Sequence, residues 1–252
     1  MIREKLIFKI LEVVSIIRDS LCSYYFNGSN KYLTENGNTA VNDLVSGSGS
    51  VFSLRVVFRR LSTGAEFLTS NWDTSTNRRS YALNFRGVNS LRFQFSTVGT
   101  DNAGNFTTST VFNDTLWHEV VFTYNNGVVT CYVDGVSDAG VSTTIPTTIF
   151  DNGLSNIYGS GNILSSPLPF EGYINQVAWT SDIITSSEAT ALNNSGSPRI
   201  ASDILDNMYL EYIFDNDTFD GTDWSVLDDV STNNALSVNM DAADKDCNEN
   251  PY

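Results

Sequence analysis

Acidic side chains are the most abundant groups in this chain that could do chemistry, with 29 Asp and Glu against 14 Lys and Arg. A retaining glycoside hydrolase needs two carboxyl groups about 5–5.5 Å apart, usually supplied by a glutamate-x-aspartate-x-x-glutamate strand. The sequence contains no such pattern. The nearest acidic clusters, Asp228-Asp229 and Asp241 with Asp244, fall in a turn and a polar tail, which is typical of a solvated surface. The sequence therefore predicts that the protein is not an enzyme.

Imidazole and thiol groups add little catalytic potential. His118 is the only histidine, so a His-rich metal site is excluded and a catalytic triad would have a single imidazole. No Gly-x-Ser-x-Gly nucleophile motif accompanies it, and we interpret His118 as a structural residue at the start of a strand. Because Cys22, Cys131 and Cys247 are odd in number and far apart, we expect free thiols, with Cys131 packed in a strand.

The charge balance narrows the range of partners. The formal net charge is −15, which disfavours binding to nucleic acid or to an anionic lipid surface. Only 17% of residues are charged and 12% are aromatic, a composition typical of a strand-and-turn protein with a wet, uncharged surface.

An amphipathic helix is predicted for residues 1–22. Leu6, Ile10, Val13 and Ile17 recur at spacings of four, three and four residues, which places them on one helix face. Charged residues interrupt the apolar run, so the segment is neither a signal peptide nor a membrane span. Its apolar face needs a partner: either it packs on its own domain, or these four residues mediate assembly into a homo-oligomer or onto a neighbouring protein.

Beyond this segment, short β-runs alternate with turn residues. Within the runs, apolar side chains recur at every second position, which predicts strands with one buried face. Asn126-Gly127 between two such runs is typical of a tight hairpin. The residues expected to point inward are Leu54, Val56, Phe58, Leu91, Phe93, Phe95, Phe122 and Tyr124.

Several phrases, taken in order, resemble the laminin-G-like and pentraxin-like lectin domains of the concanavalin A type. They are YYFNGSNKYLT at 24–34, Trp-His at 117–118 leading to Tyr-Val-Asp-Gly at 132–135, GYINQV at 172–177 and ALNNSG at 191–196. The resemblance implies an all-β fold, an antiparallel two-sheet jelly-roll sandwich, over residues 23–197. Residues 198–252 are then a C-terminal extension with one or two strands and an acidic tail.

The same resemblance implies where a ligand could bind. Many relatives hold calcium in loops at one rim through aspartate, asparagine and carbonyl oxygens, and here Asp73, Asp151 and Asn152 are the candidate ligands. Trp72 could stack on a sugar, with Asp73 beside it, or could simply close the end of the sandwich. Ordinary turn formation is the alternative for all three polar residues. Apart from calcium, no cofactor is expected.

The C-terminal extension carries a second resemblance. MYLEYIFDND and WSVLDDVSTNNALSVNM, within residues 208–240, are similar to a phrase common in bacteriophage structural proteins. This predicts a non-enzymatic virion protein, a head decoration, fibre or tail component, that is located in the virion. Its expected partners are other capsid or tail proteins and host-surface glycans. The alternative is a carbohydrate-binding or adhesion module of a cellular surface protein.

Overall fold

The computed structural model describes residues 22–35, 40–86, 89–161, 168–214, 217–231, 233–249 and 251. The predicted N-terminal helix, with its assembly residues Leu6, Ile10, Val13 and Ile17, lies outside the described residues. Within those ranges, no helix has the length and apolar character needed to cross a membrane.

The described ranges contain mostly short strands. The helices are α1 (Ala40–Val45) and α2 (Ser186–Asn193), with 3₁₀ turns at Asn194–Gly196, Ala201–Asp203 and Ala242–Asp244. The strands are β1 (Ser23–Asn27), β2 (Tyr32–Glu35), β3 (Gly47–Ser48), β4 (Val51–Arg60), β5 (Glu66–Asp73), β6 (Arg78–Phe85), β7 (Ser90–Phe95), β8 (Gly104–Val111), β9 (Trp117–Asn125), β10 (Val128–Val133), β11 (Val136–Asp138), β12 (Val141–Ser142), β13 (Thr148–Ile149), β14 (Ile157–Tyr158), β15 (Glu171–Thr180), β16 (Met208–Tyr212), β17 (Thr218–Phe219), β18 (Trp224–Val226), β19 (Ala235–Val238) and β20 (Lys245–Asp246).

Two antiparallel sheets form the body of the protein. The first sheet has the order β11-β10-β9-β4-β15-β1-β20, and β16 also pairs with β15. The second has the order β12-β8-β7-β6-β5-β14-β2-β19-β18-β17. Since sequence neighbours such as β1 and β2 lie in different sheets, the chain crosses repeatedly between them. This confirms the predicted two-sheet jelly-roll sandwich.

The core lies between the sheets and is rich in aromatic side chains. All eight residues expected to point inward are fully buried and belong to one apolar cluster. The alternation of a strand explains this, because β4 and β7 each direct every second side chain into the sandwich. Tight turns join the strands, and at the β9–β10 hairpin Asn126 and Gly127 have φ of 45° and 89°, values that asparagine and glycine tolerate best.

The prediction of three free thiols was wrong for two of the cysteines. Cys22 and Cys247 form a disulfide across a sequence separation of 225. They meet because β20 pairs with β1, aligning Asp246 with Ser23, a pairing that the spacing of the cysteines does not reveal. Cys131 is free and buried in β10, as expected.

The C-terminal extension is built into both sheets and has more strands than expected. The sequence predicted one or two, whereas the structure has five, β16 to β20. β16 pairs with the second half of β15, beyond the four residues that pair with β1, and β19 pairs with β2 in the other sheet. Strands of two to five residues are too short to show the periodicity on which strand prediction depends.

Candidate functional site

The candidate site lies on the outer face of the second sheet. Leu91, Phe93 and Phe95 of β7 point into the core, so Arg92 and Gln94 between them point outward. Ala82 of β6 pairs with Gln94 and shares this face. There, three buried apolar residues form a small cluster separate from the main core, with Leu168 packed against it; they are Phe67, Trp72 and Ala82.

A cavity of about 310 Å³ lies beside this cluster. Its wall combines apolar, amide and guanidinium groups. The lining residues are Phe67, Trp72, Thr74, Arg79, Arg86, Gln94, Asn102 and Leu168. They come from β5, β6, β7 and four loops, so only the order of the strands in the sheet brings them together. Trp72 is 9% exposed, which means that one edge of the ring, rather than a whole face, borders the cavity.

Arginine side chains dominate the polar part of the cavity. The Arg79 Cζ lies 6.0 Å from the centre of the Trp72 ring, and its Nη1 donates to the Thr100 carbonyl. Arg92, beneath the lining, donates from Nη2 to the Gln94 side-chain oxygen. Burial, together with the positive charge of Arg86, lowers the pKa of Arg92 to about 10. Positive charge is therefore concentrated here.

Two aspartates hold the loops around the cavity. The Asp73 carboxylate accepts hydrogen bonds from the Ser75 amide (2.7 Å) and from the hydroxyls of Ser75 and Thr76 (both 2.6 Å). Burial opposes ionisation, but these bonds outweigh it and lower the pKa of Asp73 to about 2. Asp101 accepts from the Thr97 amide and hydroxyl in the same manner. Asp73 thus shapes the β5–β6 turn, and Asp101 shapes the loop that carries Asn102.

The predicted calcium ligands Asp151 and Asn152 lie on a loop that contacts the β5–β6 hairpin, which carries the third, Asp73, but their surroundings do not suit a cation. The side-chain Nδ2 of Asn152 donates to the backbone carbonyls of Asn71 (3.1 Å) and Arg78 (2.8 Å), so the loop with Asp151 and Asn152 contacts the β5–β6 hairpin. The Asn152 carbonyl, however, accepts from the Arg78 guanidinium, with Nε at 2.9 Å. Asp151 accepts from the Asn42 side-chain amide. A fixed positive charge and donors already bonded to these oxygens oppose Ca²⁺ binding.

No other metal-binding cluster is present within the described ranges, where no three His, Cys, Asp or Glu side chains gather suitably. His118 is structural, as interpreted from the sequence. Its Nδ1 lies 2.9 Å from Asp134 and its Nε2 2.9 Å from Asp114. Burial lowers the pKa of His118, but the two carboxylates outweigh this and raise it above its usual value.

Sequence reasoning found one wall of the cavity and missed the rest. Trp72 was singled out, and it lines the cavity. Arg79, Arg86, Gln94 and Asn102 were not singled out, although Gln94 occupies an outward position of a predicted strand. One signal for these residues was available in the sequence. The outward positions of β6 and β7 carry uncharged or basic side chains, which is unusual in a strongly acidic chain.

The family follows from the sequence profile of the concanavalin A-like lectin/glucanases superfamily, in its laminin G type, which matches residues 25–190. The chain belongs to this superfamily. No curated protein sequence matches it. The match covers most of the sandwich, with strands of both sheets, while the whole C-terminal extension lies beyond it.

Solved structures with this lectin fold are distant in sequence. A proposed carbohydrate-binding protein from Bacteroides ovatus has a TM-score of 0.61 at 16% identity, covering 88% of this chain and 60% of that one. A heptameric pentraxin from Limulus polyphemus has a TM-score of 0.54 at 9% identity, covering 88% and 97%. The CBM40 domain of a Ruminococcus gnavus sialidase, bound to α2,3-sialyllactose, has a TM-score of 0.50 at 12% identity, covering 68% and 97%. At these identities the likeness shows the fold alone.

Proposed function

We propose that this chain is a glycan-binding module without catalytic activity and that its ligand occupies the cavity beside Trp72. The observation that carries the proposal is the composition of that cavity, in which an aromatic edge meets amide and guanidinium groups on the outer face of a lectin-fold sheet. Sugars present apolar C–H faces together with hydroxyl groups, so a site for them needs an apolar wall and convergent hydrogen-bonding groups.

The cavity offers both an apolar wall and polar groups that can bind sugar hydroxyls. Phe67 and Leu168 extend the apolar surface of Trp72. Gln94 and Asn102 have amides that can both donate and accept, as sugar hydroxyls do. The cavity volume of about 310 Å³ is at the lower end of ligand pockets, which span roughly 300–1,000 Å³. This size favours one or two sugar residues rather than a long chain.

Several features favour binding over hydrolysis. Hydrolysis with retention requires two carboxyl groups beside the glycosidic bond, and the described lining of the cavity includes no Asp or Glu. Two of the fold relatives, the Bacteroides ovatus protein and the CBM40 domain, are named for carbohydrate binding. These names support the choice of ligand class.

We propose further that the module belongs to a virion structural protein, as a head decoration, fibre or tail component. The resemblance of residues 208–240 to bacteriophage structural proteins supports this setting. The Cys22–Cys247 disulfide is in keeping with it, because disulfides persist on surfaces exposed to oxidising conditions, virions included. The disulfide equally favours the second candidate, an adhesion module on a cell surface. Mass spectrometry of purified virus particles and of cell envelopes tests the setting, and recovery from envelopes alone contradicts a virion.

A glycan array tests the binding function. We expect the wild-type chain to bind a restricted set of glycans and Trp72→Ala to weaken that binding at least about tenfold. Trp117→Ala is the matched control, because Trp117 is half-buried at the start of β9 in the other sheet. Circular dichroism establishes that both variants are folded. A wild-type chain that binds no glycan, or a folded Trp72→Ala that binds as well as wild type, contradicts the proposal.

A further inference from the structure

Ion pairs neutralise five of the described cations outside the cavity, whereas none of the arginines around the cavity has one. Lys31, Arg55, Arg59, Arg60 and Lys245 each contact a carboxylate within 4.0 Å. Around the cavity the arginines lack such a partner. In the part of the chain that the structure describes, no carboxylate lies within 4.0 Å of the guanidinium groups of Arg79, Arg86 or Arg92.

This arrangement is unfavourable unless an anion joins it. Arg92 is half-buried, and its pKa falls because of burial and the nearby charge of Arg86. Like charges held together cost free energy, and an anion bound beside them offsets that cost. The chain has a net charge of −15, yet the nearby carboxylates of Asp73 and Asp101 accept hydrogen bonds from Ser75, Thr76 and Thr97 rather than from these arginines.

We propose that the cavity selects acidic sugars, with the lining residues Arg79 and Arg86 binding a ring carboxylate or a sulfate group while Trp72 contacts the sugar ring; Arg92, bonded to Gln94, adds positive charge beside them. This inference rests on the proposed glycan-binding function and names its ligand class. Carboxylate and sulfate share the chemistry that guanidinium recognises, which is a pair of oxygens able to accept two parallel N–H bonds.

The charge distribution of the protein favours acidic glycans over neutral ones at the cavity. The acidic surface repels an acidic glycan everywhere else, while the three arginines attract it at one place. A neutral glycan leaves the guanidinium groups without an acceptor, so it gains only the contacts with Trp72, Phe67 and the amides. We expect acidic glycans to bind at least about tenfold more tightly than their neutral parents, and the ratio to fall as salt is added.

The experiment is a glycan array of matched sets, in which neutral oligosaccharides are compared with the same chains ending in sialic acid, in a hexuronic acid or in a sulfated sugar. The variants are Arg86→Gln and Arg79→Gln. Arg86 is exposed, so its replacement leaves the packing intact. Arg199→Gln is the control, because Arg199 is an exposed arginine whose segment packs near Leu192, beside the first sheet, and the change in net charge is the same.

We expect binding to be restricted to acidic spots, to be lost in the Arg86→Gln and Arg79→Gln variants and to be retained in Arg199→Gln; the spots that bind identify carboxylate or sulfate. Equal binding of neutral and acidic members overturns the selectivity while leaving the glycan-binding function intact. Acid-selective binding that both cavity variants retain overturns the assignment to these arginines. Binding to no spot overturns the proposed function together with the inference.

Discussion

At the scale of single residues, the second sheet contains a buried carboxyl group whose ionisation opposes folding. Glu35 ends β2 with 1% of its surface exposed, and one of its oxygens accepts a hydrogen bond from the Tyr158 hydroxyl at 3.0 Å. Burial raises the pKa of Glu35 to about 7, although hydrogen bonds from Tyr158 and the backbone partly counter it. The folded protein therefore keeps this proton over a pH range in which the unfolded chain loses it.

The resulting pH dependence has a definite sign. The folded pKa of about 7 lies above the ordinary value of 4.5, so the stabilising contribution is complete below pH 4.5 and is lost as the pH rises to about 7. We expect the free energy of unfolding to fall by roughly 3 kcal/mol across this interval on account of Glu35.

Glu35→Gln keeps an acceptor for Tyr158 and cannot ionise, so its stability is expected to vary much less across that interval in urea unfolding. Glu249→Gln is a suitable control, since its carboxylate is 36% exposed. Should Glu35→Gln show the same fall as the wild-type protein, Glu35 is not the group responsible.

At the scale of elements, long strands were predictable and the cavity was not. β4 and β7 have ten and six residues, with an apolar side chain at every second position from Phe52 to Phe58 and from Leu91 to Phe95, so the faces they turn to the core follow from the sequence. The cavity combines Trp72 on β5, Gln94 on β7 and Leu168 after β14, which are neighbours only because of strand order. Asn152 contacts the β5–β6 hairpin that carries Asp73, but its bonds are to Asn71 and Arg78, and Arg78, which opposes a cation there, carried no signal in a single sequence.

The two ends of the chain are expected to differ in what they contribute to folding. Deleting residues 1–21 removes none of the described strands, so the sandwich should remain folded but no longer oligomerise, and Ile10→Asp combined with Ile17→Asp should have the same effect. Deleting residues 198–252 removes β19, one of the two strands that pair with β2, and β16, which pairs with the second half of β15, and should leave an insoluble chain. Circular dichroism and light scattering measure both outcomes.

Either of two outcomes would contradict this division. An unfolded protein after deletion of residues 1–21 would mean that the helix predicted for this segment belongs to the core. An unchanged oligomer after the same deletion would mean that assembly depends on residues 198–252.

At the scale of the whole molecule, a disulfide joins the two ends of the described fold. The Cys22–Cys247 bond closes β1 against β20. Constraining so long a loop in the unfolded chain stabilises the native state by roughly 2–5 kcal/mol. A reductant is therefore expected to lower the Tm of the wild-type protein and to leave that of the Cys22→Ser, Cys247→Ser double variant unchanged. Equal Tm values with and without reductant in the wild type would contradict a stabilising role.

The central claim is that a glycan occupies the cavity beside Trp72, and NMR titration of the tryptophan indole resonances tests it most directly. The chain has four tryptophans, of which only Trp72 borders the cavity, so the others serve as internal controls. Titration with the glycan that binds best is predicted to shift the Trp72 indole signal and to leave those of Trp117, Trp179 and Trp224 in place. A Trp72 indole signal that does not move at a glycan concentration that saturates binding would contradict the account.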